Sequence, residues 1–290
     1  MSATTRMTTS PRIKNKALRR FLRNPGTVLG SILTILLVAV ALLAPVIAGD
    51  PLLQNLAERL KPPSAQHLLG TDQLGRDVWA RVVHGSRISL RIGLTVTGIA
   101  LVLGGLLGLL AGMLGGLVDE IAMRITDIFF AFPALILAMA IAGALGPSLV
   151  NLMIAVAAVS WPYYARLIRA QVLSLKSLDF VDASRALGAS RWRQALRHVL
   201  PNAITPLLVQ ASFDVGGAIL TAAGLGFIGF GAQPPTPEWG AVVSETRSFI
   251  IEAPWASSAP AVAILLTVLA FNLLGDGLRD VLDPRGRRRG

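Results

Sequence analysis

The sequence predicts an all-α polytopic membrane protein with about six transmembrane helices, and three observations carry that expectation. The 290 residues are 53% hydrophobic and 15% charged, whereas an ordinary soluble domain carries roughly 25% charged residues. The apolar residues collect in runs of about the 20 residues that a helix needs to cross the hydrocarbon core. Arg and Lys gather at the ends of these runs, which explains much of the net charge of +11, because basic loops stay on the cytoplasmic side. No nucleic-acid partner is predicted, since no RNA- or DNA-binding motif accompanies the charge. Cysteine is absent, which excludes disulfides, zinc thiolates and iron–sulfur clusters. His67, His84 and His198 are scattered, so no metal site is expected.

Residues 1–26 form a basic tail in which Arg12, Arg19, Arg20 and Arg23 are accompanied by no acid. The apolar run 27–48 exceeds the roughly 7–15 residues of a cleavable signal, so it reads as a retained first helix with a cytoplasmic N-terminus. Residues 49–91 are polar and external by alternation. Arg76, Arg81, Arg87 and Arg91 there run against the positive-inside rule, with Asp72 and Asp77 available to pair with some of them. The second span is Ile92 to Leu114, where Gly104, Gly108 and Gly112 share one face and allow close approach of another backbone.

Gly115 to Thr126 reads as a connection, and Asp127 to Leu145 as a third span with Pro133 inside it. Leu149 to Leu167 is the fourth, expected to kink at Trp161-Pro162, with Arg166 and Arg169 at its cytoplasmic end. Ala203 to Phe230 is the fifth. Gln210, Ser212 and Asp214 lie near its middle, where an ionised carboxylate costs roughly 2.5–3.5 kcal/mol. Two readings stay open for Asp214: it lines a translocation path with Gln210, or it makes a structural hydrogen bond between helices. Ala232 to Ser258 reads as an outer loop with Trp239 and Trp255 as interfacial anchors. Ala259 to Leu278 is the last span, and the basic tail 283–290 places the C-terminus in the cytoplasm.

The stretch from Ser177 to Asn202 is a polar island between two apolar segments. Phe180, Ala183, Ser184 and Leu187 recur at helical spacing, as do Trp192, Ala195, Leu196 and Val199, which predicts two short amphipathic helices. Gly188 between them suits the left-handed residue that ends a helix, and Ser190 can cap the next one. Pro201 either stops the second helix or opens the segment after it. A loop that only fixes topology needs basic charge. An apolar stripe of Phe180, Leu187, Trp192 and Leu196 predicts a docking element as well.

Chemistry of the chain's own is not predicted. No Gly-rich loop ends in Gly-Lys-Ser/Thr, and no Gly-x-Ser-x-Gly elbow or His-Glu-x-x-His pair occurs. Intramembrane acids are few for a proton-driven carrier. A helical pathway with a docking loop suits a transporter powered by another subunit.

The island carries a resemblance. Asp182, Ala183, Ser184, Gly188, His198, Leu200 and Pro201 keep the spacing of a loop that runs Glu-Ala-Ala, three residues, Gly, nine residues, Ile-x-Leu-Pro. That loop belongs to the inner-membrane permease subunits of bacterial ABC importers, in the dipeptide, oligopeptide and nickel permease group on the DppC/OppC side. Asp182, Ser184 and His198 depart from it in residue type. LGTDQLGRDVWARVVHGSRISL, GFIGFGAQPPTPEWG and LLTVLAFNLLGDGLRDVLDP are similar to further signatures of the subgroup.

The resemblance implies the MetI-like permease fold of type I importers, with a permease core over 92–282 and a cytoplasmic coupling loop over 174–201. Phe180, Asp182, Ala183, Ser184, Leu187, Gly188, Trp192, Leu196, Leu200 and Pro201 are the residues it implies for contact with an ATPase subunit. It further implies a second, related permease forming a heterodimer, two ATPase subunits that hold ATP and Mg, and an extracytoplasmic substrate-binding protein. The expected cargo is dipeptides or short peptides, with nickel chelates or another small solute as the alternative within the family. An ion-gradient-driven secondary transporter is the alternative from another class.

Overall fold

The structure, a computed structural model, describes Phe21 and residues 24–282. Most of the N-terminal tail and all of the tail at 283–290, with the topology read from their charges, lie outside the described residues. Among the described residues the elements are helical throughout.

Helix α1 covers Pro25–Ile47. Pro25 suits the first helical position, and the Asn24 side chain accepts from the Gly26 and Thr27 amides. It lies against the final helix, α10 (Pro254–Leu282), through small residues: a Cβ at Gly30 would come within 2.6 Å of Leu273, and one at Gly277 within 2.1 Å of Thr27.

Helix α2 is Val78–Leu114, so the span expected from Ile92 is the second part of a longer helix that begins inside the stretch read as outer loop. Asp77 caps it by accepting from the Trp79 and Ala80 amides. Its 37 residues reach about 55 Å at 1.5 Å per residue, beyond the roughly 30 Å hydrocarbon core. Its first turns therefore lie in a cap at one end of the bundle, the end that the charge pattern reads as outer.

Two further corrections concern the next segment. The expected connection 115–126 is helix α3 (Gly116–Phe130). The expected third span divides at Pro133 into α3 and α4 (Ala134–Leu145), which are bent by 90°. Proline supplies no amide to carry the helix across that point.

Helix α5 runs over Leu149–Lys176, continuing through Pro162. Short helices α6 (Asp179–Ala186) and α7 (Arg191–Gln194) come next, then a π-helical turn over Ala195–Val199 that leads directly into α8 (Leu200–Ile228). Pro201 thus opens α8. The outer segment holds α9 (Trp239–Thr246) before α10.

Four helices are long and apolar enough to cross a membrane, and a fifth crossing results if the bent α3–α4 pair counts as one. The remaining expected crossing, α5, does not reach that standard among the described residues. Its apolar run is diluted by Asn151, Ser160, Trp161, Pro162 and the two tyrosines, although Ala155, Tyr164, Ala165 and Ile168 are buried against neighbouring helices.

Helices α2 and α5 meet along the glycine face. A Cβ at Gly104 would lie 2.3 Å from the Trp161 carbonyl oxygen, one at Gly108 2.0 Å from Ile168 Cγ2, and one at Gly112 2.7 Å from Val172 Cγ1. Dispersion between closely approaching backbones holds such a pair together where lipid offers no hydrophobic contrast.

The outer cap explains two of the unexpected arginines and corrects the reading of Trp239. Arg76 and Arg81 are buried with Asp72, beside the half-buried Glu245: Arg76 Nε donates to Asp72 Oδ2 at 2.7 Å and its Nη2 to Glu245 Oε2 at 2.5 Å, while Arg81 Nη1 donates to Asp72 Oδ2 at 2.8 Å. Two cations and two carboxylates cancel, which is what lets them stay dry. Trp239 is not an interfacial anchor but is 1% exposed, donating Nε1 to the Val82 carbonyl at 2.9 Å. Trp255 is half-buried and donates to the Thr71 carbonyl at 3.1 Å. The Trp239 indole finds its hydrogen bond inside the cap and does not need the headgroup layer.

Glu238 caps α9 from a buried position, accepting from the Gly240 and Ala241 amides. Burial raises its carboxyl above the usual 4.5, against the pull of those two amides. In the loop before α2, His67 bridges Asp77 and Glu58 at 3.2 Å each. Hydrogen bonds from Lys61 and His67 lower the Glu58 carboxyl. Burial opposes charge on His67, but the two carboxylates outweigh it and raise its pKa above the ordinary 6.5.

Candidate functional site

The island folds into a helix, a sharp turn and a helix. Gly188 has φ +81°, in the region that L side chains rarely adopt. Its amide donates to the Arg185 carbonyl at 2.9 Å and the Ala189 amide to the Ser184 carbonyl at 3.0 Å, the paired bonds of a Schellman ending. The Ser190 hydroxyl accepts from the Arg193 amide at 3.3 Å and caps α7. Gln194, buried, donates its side-chain amide to the Ala189 carbonyl at 2.9 Å and ties the two arms together.

The two arms present one face and bury the other. Val181, Ala195 and Val199 are buried with Ile168 and Val172 at the end of α5. On the opposite face Leu187 is 88% exposed, Leu196 58%, Trp192 56% and Phe180 42%. Asp182, Ala183, Gly188 and Pro201 are exposed as well, whereas Ser184 and Leu200 are half-buried. Ser184 donates to the Val181 carbonyl at 2.8 Å, and Leu200 packs against the buried cluster. The inner anchor Val181 was not singled out by periodicity. It is the bulky apolar residue of α6 that falls out of step with the outward stripe. At the base, Asp119 of α3 receives two hydrogen bonds from the Arg169 guanidinium, the Nη2 one at 2.6 Å, and Asp127 receives one from Arg166. These pairs tie the bent helix to α5 close to the turn.

The second feature is a cavity of about 780 Å³ between α2, α4, α5 and α8. Gln210 and Asp214 both line it, with Gln210 Nε2 donating to Asp214 Oδ1 at 2.9 Å and Tyr163 donating to Gln210 Oε1 at 3.5 Å. Asp214 is half-buried, facing the cavity. Thr97, Ser160 and Tyr164 add hydroxyls to the wall; that of Tyr164 is buried beside Asp214, and that of Thr97 is buried with no hydrogen-bond partner among the described residues. Apolar walls with a few convergent polar groups are the usual make-up of a solute site. The tyrosines were missed because Trp161-Pro162 reads as a kink. The signal available was that three aromatic residues and a proline interrupt an aliphatic run at 161–164. Among the described residues no group of His, Asp and Glu side chains is arranged to hold a metal ion.

Comparison with known proteins gives two family matches: "Binding-protein-dependent transport system inner membrane component" over residues 104–288 and "N-terminal TM domain of oligopeptide transport permease C" over residues 15–63. The chain is 49% identical over 263 residues to the probable D,D-dipeptide transport system permease protein DdpC of Escherichia coli (strain K12), covering 90% of this chain and 88% of the relative. It is 49% identical over 272 residues to the di/tripeptide transport system permease protein DppC of Pseudomonas aeruginosa (strain UCBPP-PA14), covering 91% and 90%. Among solved structures, an inward-facing conformation of the MetNI methionine ABC transporter matches with a TM-score of 0.57 at 20% identity, covering 69% of this chain and 95% of that one. The last match concerns the fold alone.

Proposed function

The chain belongs to the inner-membrane components of binding-protein-dependent transport systems, and from that premise we propose that it is one of two different permeases forming the path of a peptide importer. That family consists of transport components of ABC importers rather than catalytic enzymes. The remaining parts are a second homologous permease, two ATPase subunits that bind ATP and Mg, and an external binding protein that delivers the solute. Both termini and the Gly188 turn face the cytoplasm, in keeping with the basic tails and the four arginines of the island.

The observation that carries the reading is the two-faced turn. Val181 and Val199 fasten it to α5 and α8 from within, while Leu187, Trp192 and Leu196 stand outward as the apolar grip for a groove on an ATPase subunit. The π-helical turn at Ala195–Val199 makes the outer arm continuous with α8, so a push on Trp192 acts directly on the helix that bears Gln210 and Asp214. When ATP draws two ATPases together, a rigid connection of this kind tilts the span and exchanges outward for inward access.

In the cavity, the Asp214 carboxylate faces the ammonium group of a peptide, with Gln210 and Tyr163 holding it in place. The named substrates of the relatives, a D,D-dipeptide and di/tripeptides, support dipeptides or short peptides as cargo. Reconstitution with the partner permease, both ATPases and the binding protein tests this. ATP hydrolysis stimulated by peptide-loaded binding protein, with uptake into the vesicle, is the expected result. Uptake driven by an ion gradient with no ATPase present contradicts it.

A further inference from the structure

Arg87 and Arg91 differ from their neighbours. Asp72 and Glu245 are fully engaged with Arg76 and Arg81, and among the described residues Arg87 and Arg91 have no carboxylate within ion-pair distance. Both are exposed. With His84 they lie along one face of α2 at i, i+3 and i+7 and line a concave cavity of about 570 Å³. Its other walls include Leu52, Leu149 and the segment Pro235–Pro237, and among the described residues no acidic side chain lines it. His84 Nε2 is buried behind this wall, with no hydrogen-bond partner among the described residues. Leu149 begins α5, whose other end runs into the Gly188 turn. The cavity therefore sits at the end of the bundle opposite the proposed ATPase contact.

Two guanidiniums set among proline and leucine suit one oxyanion with an apolar flank. Guanidinium forks bind carboxylate or phosphate through paired charge-assisted bonds, and the volume is that of a small-molecule site. Resting on the importer reading, we propose that this cavity receives the carboxylate of the solute at the outer mouth. The Asp214 cavity, nearer the membrane centre, carries the opposite charge. Together they select a molecule bearing one carboxylate and one ammonium, as a free peptide does. A lipid phosphate has the same chemistry and is distinguished by experiment.

The test uses the full complex in phosphatidylcholine nanodiscs, with saturation-transfer NMR of alanyl-alanine and its C-terminal amide. The amide should bind the unmodified complex about tenfold more weakly than the free peptide, and Arg87→Gln/Arg91→Gln should weaken the free peptide by a similar factor. Arg87→Lys/Arg91→Lys should keep most of the preference. Equal binding of peptide and amide, or an unchanged affinity in the glutamine variant, overturns the site. So does retention of added phosphatidylglycerol that depends on the two arginines without any peptide binding, which assigns the oxyanion to lipid. A rise only in the binding-protein concentration giving half-maximal ATPase stimulation overturns it in favour of a protein docking surface. Stimulation of the unmodified complex by peptide-loaded binding protein is measured alongside. Its absence counts against the importer reading, and its presence with unaltered peptide binding counts against the carboxylate site alone.

Discussion

Asp72→Asn should be among the most destabilising single changes in the outer cap. The Asp72 carboxylate is completely buried and accepts from the Leu74 amide at 2.8 Å, the Arg76 amide at 3.0 Å, Arg76 Nε at 2.7 Å and Arg81 Nη1 at 2.8 Å. Asparagine keeps the oxygen that serves the two amides but turns an NH₂ group toward the two guanidiniums. The cluster changes from two cations and two anions to two cations and one anion, with Arg76 2% and Arg81 0% exposed. Breaking a buried pair from one side costs about 3–5 kcal/mol. Unfolding of the purified protein by SDS titration in mixed micelles measures the loss. Adding Arg81→Met returns the cluster to neutrality, so Asp72→Asn/Arg81→Met should recover most of it. A loss under about 1 kcal/mol for Asp72→Asn, or a double variant that simply sums the single effects, would refute the charge-balance reasoning.

Gly188→Val meets no neighbouring atom but forces a β-branched residue to φ +81° at about 1–2 kcal/mol; basal ATPase activity and membrane insertion should persist while uptake per ATP falls, and normal uptake by a well-expressed variant would count against the lever. Gly108→Leu drives a side chain into Ile168 and the Ala165 carbonyl and should lower stability by about 1–3 kcal/mol, which the same SDS titration reads. Asp214→Asn should slow uptake of free peptides more than of N-acetylated ones, and equal rates across both would favour a purely structural hydrogen bond. The His67 clamp is pH-dependent. Its folded pKa is raised above 6.5, so its stabilisation is full below that value and lost as pH rises through the folded pKa, while Glu58, with a lowered pKa, keeps its share until pH falls below the ordinary 4.5. Hydrogen exchange of residues 58–77, corrected for intrinsic rate, should therefore be faster near pH 8 than near pH 6, and His67→Phe should abolish the difference.

Local chemistry decides the features that could be read from sequence. Gly188 and Ser190 specify their turn within a few residues, and the glycine face of α2 announces a close helix before its partner is known. The partner, α5, the bend between α3 and α4 and the early start of α2 depend on what surrounds each segment. Pro133 is compatible with a kinked span or a right-angled break, and only the packing of α4 against α5 decides. The buried arginines were legible as a conflict with topology, but Arg76 meets Glu245 across 169 positions, beyond any local pattern. Trp239 is similar: indole beside an outer loop suits a lipid interface, and here the Val82 carbonyl lies closer. The Asp214 cavity was half legible. An acid within an apolar run marks a site, yet Tyr163 reaches Gln210 from another helix, and nothing in either helix alone pairs them.

The absence of cysteine from the chain makes one measurement unusually direct. Leu187→Cys, at the tip of the exposed face, should react with a membrane-impermeant maleimide only from the cytoplasmic side, and should crosslink to an ATPase subunit in the assembled complex with a yield that changes when ATP binds. Labelling of Leu187→Cys from the outer face, or its free reaction in a complex whose ATPases are bound and active, would contradict coupling through the Gly188 turn.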